Sequence, residues 1–374
     1  MPWEERDKVE LRRLLVEAVV SGRLSMSAAC KEFGVSRPTG YKWRKRYEEE
    51  GLKGLEDRSR CPHGVSSSVD PVVAAAVLAD REAHPTWGAR KIRKRLSWGD
   101  GEVPSERTVH RIIKRAGLVE PQGSKPEEPK RFARSRPNEL WQMDHKSAIH
   151  GCWSRRAVPF VVLDDCTRYL IGLKALPDKG LASTWGSLWE MLGEFGLPEA
   201  ILSDNDSIFH GLQGPSQLEV RLMRLGIKIL HGRPYHPQTQ GKVERLNATL
   251  EIDLLRNGSF GSAEELQAGF DGFRYDYNFE RPNEAIGMDV PGRIYRPSDR
   301  QRPSVLPEME YATGLVLRKV HKDGWISWGG YRISVGVGLN KELVEVRDSD
   351  TEIEIYYGPY RLKGAQIANL RRLK

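Results

Sequence analysis

The sequence predicts a multidomain protein with N-terminal all-α helix-turn-helix units, a mixed α/β catalytic core and a small C-terminal β-barrel. Three observations indicate this order. Apolar residues recur at helical spacing through the first 120 residues, strand and helix patterns alternate from residue 138 to 300, and short strand patterns with glycine turns follow. A chain of 374 residues is also too long for one ordinary core, which favours two to four domains.

We place the domain boundaries where the composition changes. Residues 1–64 are predicted to form a helix-turn-helix DNA-binding unit, and residues 65–120 a second helix-turn-helix or winged-helix-like unit. Residues 121–137 are rich in proline and charged residues, which is typical of an extended basic linker. The catalytic core is assigned to residues 138–300, and the small β-barrel to residues 301–374.

The first helical unit has the pattern of a short helix, a glycine turn and a basic, aromatic helix. Ser25 or Ser27 can cap the short helix, and Gly34 suits the left-handed position of a tight turn. This pattern favours DNA binding, with the third helix in a major groove. The candidate contacts are Arg37, Thr39, Lys42, Arg44 and Lys45. The alternative is a three-helix bundle whose basic face is solvated.

The second helical unit carries two basic helices, and Ser105 is the predicted N-cap of the latter. The apolar residues of the helix after Ser105 lie on one face and its Lys and Arg residues lie off that face. We therefore predict a second DNA-binding unit. The candidate contacts are Arg90, Lys91, Arg107, Arg111 and Lys114. The alternative is a packing domain with solvated charges.

Charge and cysteine content narrow the class of protein. The chain has 59 Lys and Arg against 51 Asp and Glu, and residues 81–136 alone hold 15 against 7. This local excess indicates a polyanionic partner, for which we predict double-stranded DNA. The cysteines Cys30, Cys61, Cys152 and Cys166 form no C-x-x-C pair, which favours free thiols. With no apolar run of membrane-spanning length, we expect a cytoplasmic protein of a bacterium.

Three carboxylates far apart in the sequence are the candidate catalytic residues. Asp144 lies in a predicted strand, Asp204 follows a short buried strand, and Glu244 lies near the start of a predicted long helix. Carboxylates that meet at one point repel each other unless cations lie between them, and their hard oxygen atoms select Mg²⁺ or Mn²⁺. Two such ions about 3.5–4 Å apart suit phosphoryl transfer. Competing acids are Asp164, Asp165, Asp206 and Glu251, of which we assign the first two to a hairpin turn.

The motifs around these acids resemble those of a known family. The stretches WQMDHK from residue 141, LSDNDSIF from 202, HGRPYHPQTQGKVERLN from 231 and YNFERPNEAIGMDVPGRIY from 277 occur in this order. They are similar to the DDE insertion-sequence transposases, which have a retroviral-integrase-type core. Asp144, Asp204 and Glu244 fall on the family's three acidic positions. At position 206 this chain has aspartate, whereas members of the family usually have glycine after the asparagine. No stretch of the sequence matches the zinc-binding His/Cys domain of retroviral integrases.

The resemblance implies a ribonuclease-H-like fold, two Mg²⁺ or Mn²⁺ ions held by the acidic trio, and cutting and joining of transposon ends. It also implies a homo-oligomer on DNA. Lys242 and Arg245 flank Glu244 and are predicted to hold phosphates, the alternative being that they are solvated. A catalytically silent DNA-binding regulator, or a metal-dependent nuclease without joining activity, are the alternatives for the whole protein.

Overall fold

The computed structural model describes residues 8–58, 69–99, 101–119, 133–150, 156–204, 206–211, 213–232, 241–256 and 258–366. The chain divides into two compact units, Met1–Ser68 and Val69–Lys374. Most of the predicted linker lies outside the described residues, as do Cys61 and Cys152. Cys30 and Cys166 are free thiols, as predicted. In the part of the chain that the structure describes, no helix is both long and apolar enough to span a membrane.

The first unit is a three-helix bundle with helices α1 (Lys8–Val20), α2 (Met26–Glu32) and α3 (Arg37–Glu50). The side chain of Ser25 accepts from Ala28 N and caps α2, which selects one of the two predicted caps. Gly34 has a φ of 66°, as the predicted tight turn requires. The bundle closes around a core of Leu15, Val16, Trp43 and Leu55.

The second unit begins with helices α4 (Pro71–Ala83), α5 (Ala89–Leu96) and α6 (Glu106–Arg115). The predicted cap Ser105 accepts from Thr108 N at the start of α6. The three helices share a small apolar core that includes Trp87 from the loop between α4 and α5; the core residues are Val77, Trp87, Ile92, Val109 and Ile113.

A six-stranded mixed sheet follows. Its strands are β1 (Trp141–His145), β2 (Ile149–His150), β3 (Arg156–Asp164), β4 (Leu170–Leu176), β5 (Ala200–Ser203) and β6 (Lys228–His231). They run in the order β2-β3-β1-β5-β6, and β4 also pairs with β3. Strand β1 is antiparallel to β3 and parallel to β5, which is parallel to β6. All but the two-residue β2 lie where the sequence pattern predicts strands.

Helices cover both faces of this sheet, as expected for an α/β layer fold. They are α7 (Leu181–Phe195), α8 (Gln217–Arg224), α9 (Gly241–Leu250), α10 (Ala263–Tyr275) and the short α11 (Pro291–Ile294). Apolar residues of α7 and α8 pack with one face of the sheet, and those of α9 and α10 with the other. Helical spacing of the apolar residues after Gly241 predicts a buried stripe of Val243, Leu246, Leu250 and Leu254. The first three are buried, whereas Leu254 is only partly buried because it lies in the π-helical turn, Glu251–Leu255, that continues the helix.

The C-terminal strands are β7 (Leu317–Lys319), β8 (Trp325–Trp328), β9 (Tyr331–Ser334), β10 (Leu343–Asp348), β11 (Glu352–Tyr357) and β12 (Tyr360–Gln366). The predicted barrel is not confirmed as a closed sheet. The described strands form a four-stranded sheet, β12-β11-β10-β7, and a separate hairpin of β8 and β9. Both pack around one apolar core, which also takes in Val220 of α8. Arg224 of α8 reinforces this contact through hydrogen bonds to Glu342 and to the Tyr357 hydroxyl.

Candidate active site

Asp144 on β1 and Asp204, the residue directly after the neighbouring parallel strand β5, lie at the same level. The register places Gln142 of β1 opposite Leu202 of β5, and each aspartate follows two residues later. Adjacent strands are separated by about 4.8 Å, so the two carboxyl groups emerge side by side at the sheet edge. Burial raises the pKa of Asp144, and the nearby charge of Asp204 raises it further. The structure therefore brings together two of the three predicted acids.

Glu244 lies in the first turn of α9, where its side chain is exposed. One turn further along the same helix, the Nδ2 of Asn247 donates to the Oδ2 of Asp144 at 2.9 Å. This bond fixes α9, the helix that carries Glu244, beside β1. The ligand oxygens of Asp144, Asp204 and Glu244 do not all lie within 4.8 Å of one another. Asn247 was not predicted, although its position three residues after Glu244 on a helix is a usable signal.

Hydrogen bonds of Asp204 and Asp206, one of them to Lys179, stabilise the loop after β5. The Oδ1 of Asp204 accepts from the backbone N–H of Asp206 at 3.1 Å. The Oδ2 of Asp206 accepts from the Nζ of Lys179 at 3.0 Å. Burial would raise the pKa of Asp206, but the hydrogen bond and charge of Lys179 outweigh it and lower the pKa. Asp206 is thus a loop-stabilising acid in this structure, paired with a lysine.

The other competing acids also have partners. Asp164 accepts from Asn138 N and from Thr167 N and Oγ1, which bears out its assignment to the hairpin turn. The Oε2 of Glu251 accepts from the Nζ of Lys146 at 2.7 Å. Burial raises the pKa of Asp164, while its three hydrogen bonds act in the opposite direction. These pairings make both residues structural.

Lys242 contacts protein rather than facing outward. Its Nζ donates to the Oδ1 of Asp165, a fully buried carboxylate that also accepts from Gln142 Nε2 at 2.6 Å and Arg134 N at 2.8 Å. Burial lowers the pKa of Lys242. Arg245, three residues further along α9, is exposed, and the described residues provide no ion pair for it. Of the two predicted phosphate contacts, Arg245 is the one whose side chain faces solvent.

In the first helical unit, most predicted DNA contacts are on the outer face of α3. Arg37, Lys42, Arg44 and Lys45 are exposed, whereas Thr39 is half-buried and its hydroxyl bonds to the Ser36 hydroxyl at the helix cap. Arg44 and Lys45 pair with glutamates one turn later, at 2.7 and 3.8 Å. Such exposed pairs contribute little to stability and exchange readily for phosphates.

In the second helical unit, the predicted contacts divide between two faces. Arg107, Arg111 and Lys114 are exposed on α6. Arg90 on α5 instead approaches Glu106 at 3.9 Å and Glu284 of the core at 3.7 Å. Burial and the charge of Arg281 lower the pKa of neighbouring Lys91 to about 8. Helix α5 therefore turns its predicted contacts toward the core, and α6 presents the outer basic face.

Comparison with known families gives the class. Residues 11–63 match a helix-turn-helix domain, and residues 39–113 a homeodomain-like domain. Residues 134–237 and 225–291 each match the integrase core domain. The chain thus joins helix-turn-helix domains to an integrase core domain of ribonuclease-H-like fold.

Individual relatives make the class more specific. The chain is 26% identical over 369 residues to the transposase for transposon Tn552 of Staphylococcus aureus, covering 86% of this chain and 74% of that one. The chain is thus similar to this transposase and matches the integrase core domain, in agreement with the resemblance that the sequence motifs indicate.

Solved structures similar to this chain include the HTLV-2 integrase catalytic core domain in complex with magnesium, 16% identical with a TM-score of 0.32, which covers 42% of this chain and 97% of that one. A second is a simian T-cell lymphotropic virus intasome in complex with the PP2A regulatory subunit B56 gamma. It is 16% identical with a TM-score of 0.38, and the match covers 78% of this chain and 99% of that one.

Proposed function

We propose that the protein binds the ends of a bacterial insertion sequence, cleaves phosphodiester bonds to free 3′-OH ends, and joins those ends to target DNA. The observation that carries this proposal is the side-by-side emergence of Asp144 and Asp204 from parallel strands. A part-buried carboxylate whose ionisation is opposed by burial and by a neighbouring carboxylate, as at Asp144, is a site that a cation stabilises. A surface regulator of DNA has no need of such a pair.

The donor set fits two Mg²⁺ or Mn²⁺ ions, because it consists of hard carboxylate oxygens. Asp144 would contribute to both ions, with Asp204 and Glu244 each completing one site. When bound, the ions activate an attacking hydroxyl and stabilise the leaving oxygen. Asn247 orients the Asp144 carboxylate by donating to its Oδ2, which leaves the other oxygen available. Glu244 lies on the helix that this bond holds beside β1.

The remaining parts of the chain deliver DNA to these residues. The exposed cations of α3 and α6 suit two separate contacts with an extended end sequence, in units that we assign to residues 1–64 and 65–120. We propose that Arg245, which is exposed on the same helix as Glu244, contacts a phosphate of the bound end. Because joining two ends to one target requires two copies of the site, we propose a homo-oligomer assembled on DNA in the bacterial cytoplasm. The C-terminal sheets pack against α8, and we propose that they form a further, barrel-like domain that contacts DNA or other protomers.

The test is a strand-transfer assay with labelled element ends in Mg²⁺. The Asp204→Asn variant is expected to bind the ends with unchanged affinity and to yield neither cleaved nor joined product. The matched control is Asp206→Asn, which removes the same charge from the same loop but is paired with Lys179. It should retain most of the activity, with a loss of less than about tenfold, since an exposed pair contributes little.

The outcomes separate the candidate functions. Wild-type protein that cleaves ends but never joins them is a nuclease, and protein that binds ends without either reaction is a silent regulator. Joined product from Asp204→Asn would refute the assignment of this acid to the site.

A further inference from the structure

A cluster of potential metal ligands lies beside the loop that carries Asp204. It consists of His210 in the loop after β5, Glu219 in the first turn of α8 and His231 at the end of β6. One ligand atom from each residue lies within 4.8 Å of the other two, and among the described residues no other group of three meets this criterion. The three residues come from three different elements, so the fold, and not a local repeat, gathers them.

Glu219 is a buried carboxylate whose two oxygens have different partners: one accepts backbone N–H groups and the other lies beside a histidine. Its Oε2 accepts from the backbone N–H of Ser216 in a capping box and from that of Gly211 at 3.3 Å. Its Oε1 lies 2.8 Å from the Nε2 of His231. The capping interaction therefore fixes the carboxyl group and aims the second oxygen at the imidazole. This is the arrangement of a ligand oriented in advance by its helix.

The two imidazole rings contact each other. Their ring centroids are 4.4 Å apart in an edge-to-face arrangement. His210 is exposed, so an ion has access from solvent, whereas His231 is half-buried. The Nδ1 of His231 is buried and has no hydrogen-bond partner among the described residues.

We propose that His210, Glu219 and His231 bind one Zn²⁺ ion, with water in the fourth position. Two imidazole nitrogens and one carboxylate oxygen are a zinc-type donor set, in contrast to the all-oxygen set of the acidic trio. In a tetrahedral site with bonds of about 2.0–2.1 Å, ligand atoms lie about 3.3 Å apart. The observed 2.8 Å between His231 and Glu219, with the third atom within 4.8 Å, requires side-chain shifts of roughly 1 Å to reach this geometry.

The location gives the ion a structural role. His231 pairs with Ser203, the residue before Asp204, across strands β5 and β6. The backbone N–H of His210 donates to the carbonyl of Asp206 at 2.9 Å. A bound ion would therefore fasten the loop from Asp204 to His210 onto α8 and β6. The positioning of Asp204 by this ion rests on the proposed function, whereas the binding of zinc does not.

The test measures zinc binding by the full chain in excess Mg²⁺, which occupies the carboxylate site. Wild-type protein is stripped with a chelator, exchanged into buffer with excess Mg²⁺ and titrated with ZnCl₂ in a calorimeter, and its Tm is followed in parallel. One ion per chain is expected, with a rise in Tm of roughly 5 °C at a 100-fold excess of zinc over its Kd. The His210→Ala variant should lose both signals while folding normally, because this side chain is exposed.

Two further variants make the result specific. His231→Ala should also lose zinc binding, and His110→Ala, an equally exposed histidine on α6, should keep it. Zinc binding that survives His210→Ala and His231→Ala, or that is absent from wild-type protein, would overturn the proposal and leave the cluster as a Glu–His ion pair. Asp204→Asn should abolish strand transfer but retain zinc binding, so failure of the proposed function is distinguishable from failure of this site.

Discussion

Replacement of Lys242 by methionine separates two roles that the sequence assigns to one residue. The sequence predicts a phosphate contact, whereas the structure pairs Lys242 with the buried carboxylate of Asp165. Methionine keeps the length and apolar stem of lysine but removes the ammonium group. We expect Lys242→Met to lower the stability of the catalytic core and to change DNA affinity only slightly.

The magnitude follows from the surroundings of Asp165. Its side chain is fully buried, and that of Lys242 is 16% exposed. Removing one partner of a buried pair costs about 3–5 kcal/mol, because a charge is left without compensation. Asp165 keeps its hydrogen bonds from Gln142 and Arg134, which reduces the expected loss to about 2–3 kcal/mol. In a domain of this size the Tm should fall by about 4–12 °C.

The assay combines thermal unfolding with end binding measured at several salt concentrations. The matched control is Arg245→Met, which lies one turn away on the same helix and is exposed. It should leave the Tm within about 2 °C of wild type and reduce the salt dependence of binding by about one phosphate contact. A Lys242→Met variant with wild-type Tm and weakened binding would refute the structural role of the lysine.

Three further predictions concern the acids, the first helical unit and the outer basic face. Asp144→Asn removes a carboxylate whose pKa is raised by burial and by Asp204. The free energy of unfolding should therefore rise by about 0.5–2 kcal/mol, seen as a higher Tm, while strand transfer is lost. Because the folded pKa lies above the unfolded one, this gain should be largest at neutral pH and shrink as acid protonates Asp144. Gly40→Ala should destabilise the first unit by about 1–3 kcal/mol, since its Cβ would lie 2.4 Å from the Cys30 sulfur, whereas Gly186→Ala on open α7 should stabilise by about 0.5–1 kcal/mol. Arg111→Ala should weaken binding to all DNA sequences and lower the salt slope by about one, as measured by fluorescence anisotropy.

Much of the fold and part of the site are predictable from local pattern. The strand before Asp204 is a short apolar run, and the stripe of Val243, Leu246 and Leu250 has helical period, so each element is specified by its own residues. The pairing of Asp144 with Asp204 follows once β1 and β5 are recognised as parallel neighbours, because parallel strands end at the same sheet edge.

Contacts between distant elements were not predictable in this way. The bond from Asn247 to Asp144 spans 103 residues, and that from Lys242 to Asp165 spans 77. Periodicity shows which face of a helix is apolar, but not which polar residue meets a partner on another element. For the same reason, Lys91 counts as an outward-facing cation in the sequence, yet its helix turns it toward the core. The predicted barrel depended likewise on strand pairing, which five strand-like segments do not specify.

The central claim is that Asp144, Asp204 and Glu244 together hold the divalent ions that carry out phosphoryl transfer. The most direct test is anomalous diffraction from crystals of the protein with an element end, grown with Mn²⁺. The account predicts two Mn²⁺ peaks about 3.5–4 Å apart, with Asp144 bound to both, and loss of at least one peak in Asp204→Asn. Manganese peaks bound by other residues, or a single peak that Asp204→Asn leaves unchanged, would contradict it.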